Sequence, residues 1–459
     1  MRQRTLRAVT LGAATLLALG AHASAALALA GGGSSGFGGG GGGFGGGGFG
    51  GGGGFGRGIG VGVGFGLGSH SGGLAAGVVV VFIVIGLLVG VTTAYHAWRY
   101  QRLRKARVAK VKLAALEAAE DDAEFAPDVV DRETRALFAN IEQAWSANDR
   151  ARLAQLVGPD LMVEWNRRLD DFARRGWRNE VSILSQPDIE YVGLVNRGAD
   201  ADDHVVVRLT ARMNDVVRDG YGNVILARGA TSTQTTMCEY WTLGKQNGHW
   251  RLVSIEQRAE GDHELTEDIV TTPWSDVDRL RDTSLVEQAV AERTPEGTDL
   301  GELATPSLSD EARASALDLS LVDGRFAPDV LAAEVKRAVQ AWTDAIDGSD
   351  ADLRQLASGR ATRDLLHPGD ASERTRQVIR GPHVRSVRIV GLDPHATPPR
   401  MTVELQVSAR RYVEDRDTLA LLSGDKDHDK TFLERWALAL DGDDEHPWRI
   451  VDAAAPAPA

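Results

Sequence analysis

Phe125-Ala126-Pro127-Asp128-Val129 returns as Phe326-Ala327-Pro328-Asp329-Val330, 201 residues further on. Three more pairs follow in the same order. Trp145 matches Trp342, Glu239-Tyr240-Trp241 matches Glu434-Arg435-Trp436, and Trp250-Arg251-Leu252-Val253 matches Trp448-Arg449-Ile450-Val451. The offsets are 201, 197, 195 and 198, so order and spacing are both kept. Such a period is far too long for a solenoid repeat and marks a duplicated domain.

Within the first copy the pattern changes from helical to extended. Leu137, Phe138, Ile141 and Trp145 recur at helical spacing, as do Leu161, Trp165, Leu169 and Phe172, with Gly176 as a stop. Apolar runs over 189–194, 204–209, 237–243 and 250–255 read as strands. Asn247-Gly248 joins the last two, and Asn-Gly is a strong hairpin signal. Helices followed by antiparallel strands make an α+β plan. Trp145, Trp165, Trp241 and Trp250 are expected to pack the helices onto the sheet.

The N-terminal part has a different character. Arg2, Arg4 and Arg7 precede an apolar run and small-x-small sites ending at Ala30, which reads as a signal peptide over 1–30. Residues 31–73 are a Gly/Phe-rich segment, with glycine at 28 of 43 positions, and are expected to be disordered. Residues 74–98 carry no charge and are long enough for one transmembrane helix. Tyr95 and Trp98 suit its interfacial end. A basic juxtamembrane helix over 99–124 follows, with Arg99, Arg102, Arg104, Lys105, Arg107, Lys110 and Lys112. Positive charge marks the cytoplasmic side, which predicts a single-pass plasma-membrane protein with its N-terminal segment outside and its C-terminal domains cytoplasmic. The same seven cations are candidate contacts for anionic membrane lipid.

Beyond residue 112 the chain has 40 basic and 64 acidic residues, a net charge of −24. That argues against a nucleic-acid footprint, which needs clustered cations. The lone cysteine, Cys238, forbids an internal disulfide and reads as a small strand residue. Residues 259–323 form an acidic linker, in which Trp274–Glu292 is a helix expected to dock on the first domain. Pro295, Gly297, Gly301 and Pro306 mark flexible linker.

No phosphate loop, nucleophile elbow, zinc spacing or cofactor motif is present in the sequence. Asp425, Asp427 and Asp429 alternate like a calcium loop, but Lys430 stands where that loop needs glycine and Trp436 where it needs glutamate. They read as a solvated hairpin tip. Glu239 and Glu434 are the carboxylates repeated with their context, as strand-edge charges or as an acid/base facing a cavity.

Ala144-Trp145-Ser146-Ala147-Asn148-Asp149, Leu153-Ala154-Gln155-Leu156, Glu239-Tyr240-Trp241 and Trp250-Arg251-Leu252 together resemble bacterial relatives of the 44-kDa subunit of the mitochondrial inner-membrane translocase. The resemblance is good over 125–257 and weaker over 326–452. It implies two cone-like domains of the nuclear-transport-factor-2/cystatin type, at 125–258 and 324–453. It further implies a scaffold that docks protein partners at anionic membrane. The missing catalytic constellation and the repeated packing core point to a non-enzymatic protein, and no metal or cofactor is expected. Cone folds of this type also host isomerases, dehydratases and small-ligand sensors, which require a pocket at the open end.

Overall fold

The computed structural model describes residues 72–197, 199–225, 232–291, 316–317, 319–321, 323–345 and 350–454. The signal peptide, almost all of the Gly/Phe-rich segment and the flexible linker lie outside them. Helix α1 runs unbroken over Gly72–Asp121, so the expected span and juxtamembrane helix are one element. Among the described residues, no helix is long and apolar enough to cross a membrane. The side chains at the start of the expected span, 74–83, lie outside the described set. The described residues up to Lys110 belong to one unit, and those from Val111 onward to another.

The larger unit contains both copies. In the first, Asp122 caps a 3-10 turn at Ala123–Phe125 by accepting from the Glu124 backbone N–H. Then come α2 (Pro127–Ser146), α3 (Arg150–Leu156) and α4 (Pro159–Arg175). Proline opens α2 and α4, where a missing N–H costs nothing. Gly176 closes α4 at φ 66°, the left-handed geometry a helix C-cap favours. Six strands follow: β1 (Arg178–Ile183), β2 (Asp188–Val195), β3 (His204–Arg218), β4 (Val224–Ile225), β5 (Gln234–Gln246) and β6 (His249–Gln257). The sheet order is β1-β3-β5-β6, with β2 and β4 also paired to β3.

The second copy repeats this plan with α6 (Pro328–Asp344), α7 (Ala351–Leu356), α8 (Gly359–Leu366), β7 (Thr375–Asp393), β8 (Arg400–Asp415), β9 (Leu421–Ala439) and β10 (Arg449–Ala454). Its sheet order is β10-β9-β8-β7. The single strand β7 covers the length of β8, as β1 and β2 together cover β3. Details recur as well as plan. Trp250 Nε1 donates to the Glu124 carbonyl at 3.0 Å, and Trp448 Nε1 to the Arg325 carbonyl at 2.6 Å. The Gly158 N–H bonds the Leu252 carbonyl on the outer strand, as the Ser358 N–H bonds that of Ile450.

Each core fills the space between helices and sheet with aromatics; in the first copy Trp145, Trp165, Trp241 and Trp250 are buried and Trp177 is half-buried. Trp145 meets Trp165 edge-on at 5.5 Å, and Phe138 lies 5.7 Å from Trp241. Trp342 and Trp436 do the same in the second copy at 5.8 Å.

The linker helix α5 spans Val277–Ala291. Among its described side chains, the apolar packing is on the second domain, not on the first as expected. Val286 and Ala289 pack against Val330 and Ala333 of α6 in the second. Trp274 lies outside the helix, in a 3-10 turn begun by Pro273, and is 81% exposed. The apolar face that decides the docking is therefore Val286/Ala289, without the tryptophan.

Candidate functional site

The repeated carboxylates are buried inside their cones. In the first, Trp241 Nε1 donates to Glu239 Oε2 at 2.9 Å and Gln257 Nε2 to Oε1 at 3.2 Å. Burial pushes the Glu239 carboxyl up to about 8, although these two bonds favour the ionised form. Glu142 on α2 is fully buried beside it, and neither of its oxygens has a hydrogen-bond partner. Burial first, then the charges of Glu239 and Asp215, raise it well above the carboxylate range. Asn179 joins this interior, accepting from Trp145 Nε1 at 2.8 Å and donating to Asp215.

The second cone has different residues at the same register positions. Gln377 stands for Asn179, Arg411 for Asp215 and Glu434 for Glu239. Arg411 Nη1 lies 2.7 Å from Glu434 Oε1, and its Nη2 donates to Gln377 Oε1 at 3.1 Å. Burial raises the Glu434 carboxyl while Arg411 draws it back. A cavity of about 210 Å³ opens here, lined by Asp364, Pro368, Gln377, Arg411, Glu434 and Ala453. It exists because α8 ends at Leu366, whereas α4 of the first cone continues through Leu169 and Phe172 to Arg175.

The two cones meet along a charged seam. Tyr412 donates to Glu260 Oε1 at 2.9 Å, Arg410 to the Glu260 carbonyl at 2.6 Å, and Arg380 pairs with Glu256 at 3.5 Å. His263 Nε2 is 2.9 Å from Glu256 and Nδ1 is 3.2 Å from Glu267. Burial would discharge this imidazole, but the Glu256 charge and both bonds hold it well above its usual range. Glu256, His263 and Glu264 bring three ligand atoms within 4.8 Å of one another. A metal there would displace a doubly bonded imidazolium and face the Arg380 guanidinium, so the arrangement fits an ionic link better than a metal centre.

At one end of the seam, the β8–β9 turn enters the first cone. Asp415 Oδ1 accepts from the backbone of Asp417 and Thr418 and from the Thr418 hydroxyl, which shapes the turn. Arg416 Nε donates to Glu164 at 3.2 Å. Asp417 pairs with Arg167 at 2.8 Å and Arg174 at 3.5 Å, and Arg168 donates to its carbonyl. Leu419 is buried as part of the first cone's hydrophobic core. It has φ 61°, a left-handed backbone that costs a bulky residue about 1–3 kcal/mol and persists where surrounding contacts over-determine it.

Residues 111–257 match the family model of the Tim44-like domain. The first cone is a Tim44-like domain. The match begins at Val111, inside α1, so the end of that helix belongs to the Tim44-like unit. No curated protein matches the chain at a significant level. The intermembrane-space region of the chloroplast protein ARC6 is similar over 28% of this chain and 94% of its own, with 12% identity and a TM-score of 0.22. An NTF2-like protein involved in plasmid conjugation is similar over 70% and 94%, with 7% identity and a TM-score of 0.17. Both likenesses are too slight to bear on function.

The seven candidate lipid-contact cations all lie on α1, six before the Tim44-like boundary and Lys112 just within it. Arg99, Arg102, Lys105, Lys110 and Lys112 are exposed, Arg104 is half-buried and Arg107 is buried. Arg102 sits over the Trp98 ring at 5.5 Å. Cys238 is half-buried, with Arg208 donating to its Sγ at 2.8 Å, and burial pushes its thiol up. Asp425 accepts from the backbone N–H groups of Asp427 and His428, but at a bulge inside β9 rather than at the expected hairpin tip: Asp425 pairs with Arg411 and Lys430 with Ala409, and the extra residues loop out between them. The seam residues are charged and scattered in sequence, and no motif points to them.

Proposed function

We propose that this chain is a membrane-tethered scaffold whose Tim44-like domain docks protein partners at the cytoplasmic face. The observation that carries this reading is how the first cone is filled. Its interior is occupied by Phe138, Trp145, Trp165 and Trp241, and Glu239 has both oxygens bonded to Trp241 and Gln257. An acid/base working on a substrate needs a carboxylate that faces an open pocket. The tether is the charge-free segment 74–98, with the basic run after it setting topology and contacting anionic lipid.

A second reading rests on the cavity of the other cone, where the Arg411–Glu434 pair faces open space. That cone is then a small-ligand sensor or enzyme, with Glu434 as its acid/base.

Protease added to intact cells is expected to leave residues 113–459 whole until lysis; cleavage from outside would overturn the tethered reading. Cross-linking in native membranes is expected to recover a stoichiometric protein partner that is lost when residues 111–257 are deleted. Recovery unchanged by that deletion would count against docking by the Tim44-like domain.

A further inference from the structure

The turn Asp415–Ala420 of the second cone fits into the first as a ligand fits a site. Helix α4 presents Glu164, Arg167, Arg168, Asp171 and Arg174 at spacings of three and four, so they share one face. The basic members outnumber the acidic ones, which leaves the face short of negative charge. Asp417 supplies it, with its side chain against Arg167 and Arg174 and its carbonyl receiving Arg168. Arg416 answers the one carboxylate at the near end, Glu164. Two residues beyond Asp417, Leu419 fills an apolar position in the core.

A turn that merely linked two strands would not need this fit. Asp415 pre-shapes it through three hydrogen bonds, and Leu419 is held in left-handed backbone to reach the core. Strain of that kind subtracts from the closed state and brings the open one nearer. The ion pairs around Asp417 are partly solvated, so each adds little.

We propose that the α4 face and the apolar position beneath it form a peptide-docking socket, latched in cis by the turn 415–420, that accepts in trans a protein loop carrying an aspartate two residues before a leucine. The proposal deepens the docking reading by naming its site and the chemistry of its partner. Opening requires the second cone to withdraw its turn, which frees the arginines and the leucine position together. Docking is therefore regulated by the seam: whatever weakens Tyr412–Glu260 or Arg416–Glu164 exposes the socket.

The probe is a labelled synthetic peptide of residues 413–421, titrated into the purified full-length chain. The native chain is expected to bind it weakly. A chain carrying Asp417→Lys and Leu419→Asp, which opens the latch, is expected to bind at least tenfold more tightly. A peptide with the same two substitutions should show no binding. Arg167→Glu added to the opened chain should abolish binding without shifting its unfolding midpoint. Replacing residues 416–419 with glycine and serine opens the latch without placing a charge in the core, and serves if the double substitution unfolds the protein. An opened, folded chain that ignores the peptide, or binds both peptides alike, overturns the socket. Native partners still captured by such a chain would leave the scaffold reading standing, so the two failures are distinguishable.

Discussion

Glu260 and Tyr412 meet across the seam at 2.9 Å, and both are buried there. Glu260 Oε2 also receives the N–H of Gln257 at 3.1 Å, and Gln257, at the end of β6, is the register partner of Glu239. The seam is thereby tied to the interior of the Tim44-like domain through two adjacent turns of chain.

Tyr412→Phe is expected to remove the cross-seam donor and leave Glu260 under-bonded, costing about 1–3 kcal/mol. Urea unfolding followed by tryptophan fluorescence checks this. The expected result is a lower midpoint with earlier separation of the two cones. An unchanged midpoint would show the bond to be dispensable.

Glu239 is predicted to make the Tim44-like domain less stable as pH rises. Its folded carboxyl titrates near 8, above the unfolded value, so the unfolded state ionises first and gains on the native state between about pH 4.5 and 8. Glu239→Gln keeps an acceptor for Trp241 and should flatten that slope, stabilising the protein at pH 7.5 by an amount on the order of a few kcal/mol. Melting temperatures of both proteins from pH 5 to 8.5 test it, and parallel curves would exclude a titrating Glu239.

His263 acts with the opposite charge type. Its folded value is raised, so its contribution is fully present below the unfolded value and is lost as pH climbs through the folded one. His263→Gln should therefore lower the melting temperature most near pH 6 and approach the native curve in alkaline solution. A deficit that grows toward high pH would contradict the imidazolium link.

Gly381 has φ 55°, and a Cβ there would lie 2.7 Å from the His263 side chain. Gly381→Ala combines backbone strain with a clash at the seam and is expected to cost about 1–3 kcal/mol. The same substitution at Gly359, where a Cβ meets nothing within 4 Å, should be nearly neutral and serves as the control for differential scanning calorimetry.

The duplicated plan was legible because it rests on packing residues, and tryptophan, proline and Asn-Gly carry strong local meaning. Helices α2 and α4 and strands β2, β3, β5 and β6 stand where apolar periodicity puts them. Strand β1 was missed, because Arg178-Asn179-Glu180-Val181-Ser182-Ile183 has only one fully buried side chain and takes its conformation from β3. The docking side of α5 was also misjudged, since Val286 and Ala289 are less conspicuous than Trp274. Nothing local marks the seam. Glu164, Glu256, Arg380 and Arg416 are ordinary surface residues by composition, and only tertiary folding brings them into pairs.

Arg197 of the Tim44-like domain grips Asp276 at 2.8 Å, and α5 begins at the next residue and packs on α6 of the second cone. The connection is pinned at both ends, so the second cone is presented at high effective concentration. For short tethers that concentration is on the order of millimolar. A rival loop of micromolar intrinsic affinity would then be held off by about a thousandfold until the pin is released. Under the socket proposal, the Arg197–Asp276 pair, which touches none of the socket residues named above, helps set the threshold at which an outside partner is admitted.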